Sequence, residues 1–247
     1  DFVRITADGE PLLHPDIWEL IKYAVDNQDG LVGLTTNGSA LNKKNRERLI
    51  ESDIFMVDIS LDAFSQNTFE EIRVGLDYDK TISNVIELIN DRERMNSNMK
   101  IMVSFVKQKG NIHEVDLFQD FWQDKVDDVL IREMISNVGI NDIRGSVAEL
   151  SDQKRWPCPH LFRRVVINYD GKLKGCPIDW QCELSYGPIE EESIQKIWHS
   201  DFYYDHRSQH LNLDIDKKSI CHDCRDWKGT PWNLGYEKVI KKLTYKD

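Results

Sequence analysis

Short apolar runs and longer stretches with apolar residues at helical spacing alternate five times over about the first 130 residues. Residues 2–5, 31–34, 54–59, 101–106 and 128–131 are the apolar runs and predict strands. Between the first two, Trp18, Ile21, Tyr23 and Val25 give an apolar helical face, and His14-Pro15-Asp16 is expected to open that helix, proline being tolerated in a first turn. A second helix is expected over residues 43–51. Ser65 is placed to cap a short helix through Arg73, Asp79 a longer one carrying Ile82, Val85, Ile86 and Ile89, and Asn111 one through Trp122. Strand–helix alternation of this kind predicts an α/β fold built on a parallel sheet with crossover helices. Polar clusters follow the strands: Gly9-Glu10-Pro11, Thr35-Thr36-Asn37-Gly38 and Ser60-Leu61-Asp62. The C-terminal edge of a parallel sheet is where such folds take ligands. Any one of these clusters also reads as a plain turn or helix cap.

The pattern changes after Arg132. Residues 137–151 are irregular and hold Arg144. Val165-Val166-Ile167-Asn168-Tyr169 and Lys172-Leu173-Lys174 then flank Asp170-Gly171, which predicts a hairpin with a type I′ turn. Helical stretches are expected over residues 193–199, 202–211 and 232–243. The expected division is a first domain over residues 1–137, a linker over 138–157 and a second domain over 158–247.

Apolar residues make up 40% of the 247 and charged residues 30%, which is enough to bury a core; the net charge is −11. An acidic surface argues against a nucleic-acid backbone or an anionic membrane as partner. No apolar run approaches the length of a membrane span. The chain opens on an apolar run at Asp1-Phe2-Val3 without Met, so an N-terminal piece is expected to be missing.

Five cysteines remain, all between residues 158 and 224. Such usage fits a reducing, cytoplasmic setting better than a disulfide scaffold. Cys158, Cys176 and the Cys221-His222-Asp223-Cys224 knuckle supply four thiols. Four cysteines are what an iron–sulfur cluster asks for, and also what a structural zinc asks for. A zinc ribbon usually brings two tight knuckles and only one is present, so the dispersed frame favours [4Fe–4S]; zinc and unliganded cysteine stay open. The four sulfurs are expected to gather at one site, with Cys182 outside it as a small buried hydrophobe.

These residues together resemble the radical S-adenosylmethionine (SAM) enzymes that carry a C-terminal SPASM or twitch domain. Asp8-Gly9-Glu10-Pro11 resembles the family's Gly-Gly-Glu-Pro motif, and Thr36-Asn37-Gly38 and Ser60-Leu61-Asp62 with Arg73 resemble the elements after later strands. Cys158-x12-Gly171-x4-Cys176, Ile194 to Trp198 and Cys221-x2-Cys224 resemble the SPASM signature; with four cysteines in frame the chain is nearer the one-cluster twitch type. Asp8 replaces the first motif glycine. The family's Cys-x3-Cys-x2-Cys motif is absent and is expected to lie upstream, with the first barrel strand.

The resemblance implies a partial (β/α) TIM-like barrel lacking its first strand, plus a small C-terminal iron–sulfur domain. It implies SAM bound by Gly9, Glu10 and Pro11 at its amino group, by Ser60 and Arg73 at its carboxylate, and by Thr36, Asn37 and Asp62 near the ribose hydroxyls or methionine end. Arg144 is a candidate substrate contact, or else a solvated loop arginine. An auxiliary [4Fe–4S] cluster would sit on Cys158, Cys176, Cys221 and Cys224. The activity implied is hydrogen abstraction by a 5′-deoxyadenosyl radical, with oxidation of a sugar or cyclitol alcohol or modification of a peptide. A small-molecule or peptide substrate and a flavodoxin- or ferredoxin-like electron donor are the implied partners. The alternative is a non-catalytic iron–sulfur electron-transfer module without the cysteine triad.

Overall fold

The computed structural model describes residues 2–6, 9–134, 154–229 and 232. The described residues fall into two compact units, the first ending at Glu133 and the second beginning at Met134.

The first unit holds the five expected strands: β1 (Phe2–Ile5), β2 (Leu31–Thr36), β3 (Met56–Ser60), β4 (Lys100–Lys107) and β5 (Asp128–Glu133). They pair in chain order β1-β2-β3-β4-β5, and every pairing is parallel. An order that never reverses is wound in one direction, as in a barrel, and has no switch point of the doubly wound kind. Helices α1 (Ile17–Asp26), α2 (Lys43–Glu51), α3 (Gln66–Ile72), α4 (Tyr78–Arg94) and α5 (Val115–Trp122) lie between the strands in sequence.

Strand side chains alternate between two faces. One face carries Val32, Leu34, Val57, Ile59, Ile101, Val103 and Phe105, which form a core with Ile21, Leu49, Val85, Leu88, Phe118 and Trp122 of the helices. The other face carries Met56, Asp58 and Ser60 of β3 and Met102 and Ser104 of β4, and it is polar although Met56, Asp58 and Met102 are fully buried. Burial of both faces is why these strands read as near-continuous apolar runs.

Three expected helix starts are corrected. The helix expected at His14 begins at Ile17, after a separate 3₁₀ turn over Pro11–Leu13; Asp16 holds the cap position without a side-chain cap bond. Asp77, not Asp79, caps α4, its carboxylate accepting from the Lys80 N–H. Asn111 caps nothing: its side chain donates to the carbonyls of Asp62 and Val106 and accepts from the Gln108 N–H, tying the loop after β3 to that after β4. Ser65 caps α3 as expected, with help from far along the chain. The Glu114 carboxylate, buried, accepts from the Phe64 and Ser65 N–H groups and from the Ser65 and Thr68 hydroxyls.

Burial alone would push the Glu114 carboxyl up; the hydroxyl and N–H donors around it more than reverse this and hold it below the usual glutamate range. A lowered folded-state value means that the bond network adds stability above the ordinary glutamate pKa and loses it as pH falls through the lowered one. Glu114→Gln should therefore cut unfolding free energy at neutral pH and flatten its acid-side decline, as urea unfolding at pH 7 and pH 4 would measure; equal pH slopes in the two proteins would contradict the assignment.

The second unit contains α6 (His160–Arg163), β6 (Val166–Ile167), β7 (Lys172–Lys174), β8 (Ser185–Pro188), α7 (Ile194–Trp198) and α8 (Asp201–Asn212). β6 and β7 form the expected antiparallel hairpin, and β8, which had no sequence signal, adds a third strand on the far side of β7. The turn differs from expectation. Only Gly171 takes a positive φ, +75°, and its N–H donates to the Asn168 carbonyl at 3.0 Å, so Tyr169-Asp170 form an ordinary turn followed by a left-handed glycine rather than a type I′ turn. The core is small: Leu161, Leu173, Cys176, Leu184, Ile197 and Tyr203. Arg144, the helix expected over 232–243 apart from Trp232, and motif residue Asp8 lie outside the described residues.

Candidate functional site

The sheet's C-terminal edge gathers the motif residues of the first unit in two hydrogen-bonded groups. In the first, the Glu10 carboxylate accepts from the Thr36 hydroxyl at 2.7 Å, from the Asn37 N–H at 2.7 Å and from the Leu12 N–H at 3.1 Å. It thereby ties the loop after β1 to the end of β2. Its charge is taken up within the protein, so the loop's outward edge at Gly9 is backbone. Gly38, at φ +80°, lets the chain turn here: a Cβ on it would lie 3.1 Å from Thr81 and 3.2 Å from Ile59.

In the second group, Ser60 Oγ lies 3.3 Å from Ser104 Oγ within β4. The Asp62 carboxylate accepts from the Val106 N–H at 2.7 Å and from Arg73 Nη2 at 2.5 Å. Asp62 is thus paired with Arg73 and is not a helix cap. Burial pushes its carboxyl up, against the pull of Arg73. The two groups share the edge; no hydrogen bond joins them among the described residues. Arg73 Nε is buried without a hydrogen-bond partner. An N–H left open beside a paired guanidinium suits a carboxylate, so the edge fits the anionic end of SAM.

Three further residues on the polar face escaped sequence reasoning. Asp58, fully buried in the central strand, accepts on one oxygen from Arg4 Nη2 of β1 at 2.9 Å and from Arg132 Nη2 of β5 at 2.7 Å. Arg4 Nε also donates to Thr35 Oγ1 at 2.8 Å. Lone charges at the ends or centre of apolar runs were the available signal.

In the second unit Cys158, Cys176, Cys221 and Cys224 are all free thiols that interact electrostatically with one another. N–H groups two residues downstream face three of the sulfurs: His160 toward Cys158, Ile178 toward Cys176, Asp226 toward Cys224; the Ser219 hydroxyl faces Cys221. Donors of this kind favour thiolate. Burial outweighs them, pushing Cys158 up to about 11, Cys221 up to about 12, and Cys176 and Cys224 also up. The thiols thus share one neighbourhood, although no three His, Cys, Asp or Glu groups among the described residues are gathered to hold a metal ion. Four cysteine thiols with N–H donors beside three of them are a donor set that a [4Fe–4S] cluster takes. The Cys158 N–H donates to Nδ1 of buried His210, whose imidazole burial and nearby Arg155 hold down at about 4.

No helix of the described residues is long and apolar enough to cross a membrane. Residues 3–99 match the family model described as the Radical SAM superfamily, and residues 158–225 match SPASM, an iron–sulfur cluster-binding domain. A GTP 3′,8-cyclase of Staphylococcus epidermidis is 32% identical over 126 residues, 50% of this chain and 35% of that protein. An uncharacterized protein of Treponema pallidum is 31% identical over 106 residues, 42% of this chain and 29% of that one. The match thus spans about a third of the length of these curated relatives. Among solved structures, SuiB of Streptococcus suis bound to S-adenosylmethionine has a TM-score of 0.58 at 17% identity, covering 100% of this chain and 64% of that one. BtrN in complex with AdoMet and 2-DOIA has a TM-score of 0.54 at 17% identity, covering 90% of this chain and 72% of that one. At these identities the likeness concerns the fold. The chain therefore carries a Radical SAM superfamily domain, which holds the parallel α/β sheet, followed in sequence by a SPASM iron–sulfur cluster-binding domain.

Proposed function

We propose that the whole protein is a radical SAM oxidoreductase that removes a hydrogen atom from an alcohol carbon of a sugar or cyclitol, or from a peptide side chain, and that an auxiliary [4Fe–4S] cluster on Cys158, Cys176, Cys221 and Cys224 takes the second electron. When bound, SAM with its reducing cluster supplies the 5′-deoxyadenosyl radical, and the auxiliary cluster supplies the one-electron acceptor. An alcohol substrate would give up its carbon-bound hydrogen to that radical, then its hydroxyl proton and one electron to the auxiliary cluster, to become a carbonyl. The chain's own residues bind and orient. Gly9 and Pro11 shape the edge that meets the methionine amino group, with Glu10 bracing it from behind. Ser60 and Arg73 hold the carboxylate, with Asp62 fixing the guanidinium. Thr36 and Asn37 set the adjoining loop. The polar face around Arg4, Asp58 and Arg132 would meet the substrate, with Arg144 a further candidate contact, and a flavodoxin- or ferredoxin-like protein would deliver electrons.

The observation that carries this reading is the Arg73 fork at the sheet edge, one arm anchored on Asp62 and one buried N–H open. Arg73→Ala in the complete enzyme should weaken SAM binding by about 1.5–3 kcal/mol, the range of a charge-assisted hydrogen bond. Calorimetric titration with SAM checks this, and an unchanged affinity would remove the assignment. The chain by itself is proposed to be inactive in turnover.

A second reading is a non-catalytic iron–sulfur electron-transfer module without the cysteine triad. A Cys-x3-Cys-x2-Cys motif in the coding sequence upstream of Asp1 would eliminate it.

A further inference from the structure

Arg155 lies three residues before Cys158, and the sequence marks it as nothing special. Its two terminal nitrogens reach across the unit: Nη1 donates to the His222 carbonyl at 2.8 Å and Nη2 to the Cys221 carbonyl at 2.5 Å. The guanidinium also stands over the Trp227 ring at 6.0 Å, and Trp227 packs edge-on against Trp156 at 4.6 Å. So the cation is fixed by the knuckle and by an aromatic pair. Its Nε is buried and has no hydrogen-bond partner. Among the described residues no carboxylate forms an ion pair with it. It acts electrostatically on Cys158, Cys221 and Cys224, and on the His210 imidazole.

Arg155 is half-buried, and a partly desolvated cation without a paired carboxylate is favoured by an anion beside it. Here the groups beside it are thiols. Four thiolates around a [4Fe–4S]²⁺ core make a dianion, and one-electron reduction adds another negative charge. A fixed cation at that distance stabilises the reduced state more than the oxidised one, which raises the reduction potential. The clamp on the Cys221 and His222 carbonyls keeps the charge in register with the cluster.

We propose that Arg155 is the positioning residue that sets the reduction potential of the auxiliary cluster, acting through its charge beside Cys158, Cys221 and Cys224 and holding the knuckle through two backbone carbonyls. This rests on the four-cysteine reading of the cluster site. Tuning would matter because a cluster that accepts an electron from an organic radical must stay oxidised at rest, and a neighbouring cation governs how readily it is reduced.

The test uses the full chain, reconstituted anaerobically with ferrous iron and sulfide, in wild type, Arg155→Gln and Arg155→Lys. Iron and sulfide analysis of the wild type comes first. Absence of a cluster there defeats the four-cysteine reading and says so separately. With the cluster present, a redox titration followed by electron paramagnetic resonance reads the potential. Arg155→Gln should lower the constant for one-electron uptake about tenfold, about 59 mV for a one-electron couple. Arg155→Lys, which keeps the charge but loses the two-carbonyl fork, should stay near wild type. Cluster loss in Arg155→Gln alone would still support a requirement for charge. Equal potentials in all three proteins, an Arg155→Lys shift as large as that of Arg155→Gln, or cluster loss in both variants would overturn the proposal, the last two leaving Arg155 a geometric clamp only.

Discussion

Asp58→Ala is expected to destabilise the first unit by about 3–5 kcal/mol, the usual cost of removing one partner from a buried ion pair. Asp58 is fully buried, and one of its carboxylate oxygens accepts from both Arg4 and Arg132. Alanine removes that acceptor and leaves two guanidinium groups facing each other across the middle strand. Their side chains keep 26% and 33% exposure, so part of the charge can turn toward water, which favours the lower half of the range. A triple change, Asp58→Leu with Arg4→Met and Arg132→Met, removes all three charges together. It should recover much of the loss, because an apolar replacement of a buried ionic cluster is often neutral or better. Urea unfolding of the three proteins measures both effects. A loss under about 1 kcal/mol in Asp58→Ala would show that the bridge adds little.

Cys176→Ser should have the larger effect on the second unit. Cys176 is both one of the four thiols of the cysteine frame and a member of the small core with Leu161, Leu173, Leu184, Ile197 and Tyr203. A core of that size supplies little stability by itself, and metal binding in such domains is folding free energy. The variant should fall from about four irons per chain to less than one, as expected of a [4Fe–4S] site that loses a ligand. Its second unit should also lose its cooperative melting transition. Cys182→Ser is the control. Cys182 sits at φ 56° and accepts a side-chain contact from Asn168 at 3.5 Å. Full iron and sulfide in Cys176→Ser, or their loss in Cys182→Ser, would redraw the ligand set.

The five strands were legible because a parallel sheet covered on both faces needs runs such as Met56-Val57-Asp58-Ile59, apolar enough to read through one charge. The strand ends were less so. Thr35, Thr36 and Ser60 belong to strands by pairing, but by composition they look like loop. Helix starts failed where two candidates competed: Asp77 and Asp79 both suit a cap, and only geometry chooses. Asn111 failed because its partners, Asp62 and Val106, come from other parts of the chain. The motif residues at the sheet edge were visible by resemblance, but their mutual bonding was not, since Glu10 and Thr36 lie 26 positions apart. Arg155 was invisible for a different reason. It is defined by carbonyl groups, which every residue carries, so no spacing of residue types announces it.

The carboxylate of Asp58 also has a consequence for the order of assembly. Its two arginines come from β1 and β5, so during synthesis Arg4 is made before Asp58 and Arg132 arrives only when β5 has left the ribosome. Until then the middle strand carries a carboxylate whose second arginine has not been made, on a face that the finished sheet buries. A nascent sheet that stops at four strands is therefore penalised at its centre rather than at its open edge, and the fifth strand is drawn in by charge as well as by backbone pairing. Such a bridge would favour one cooperative closing step over a partly built sheet that lingers and aggregates.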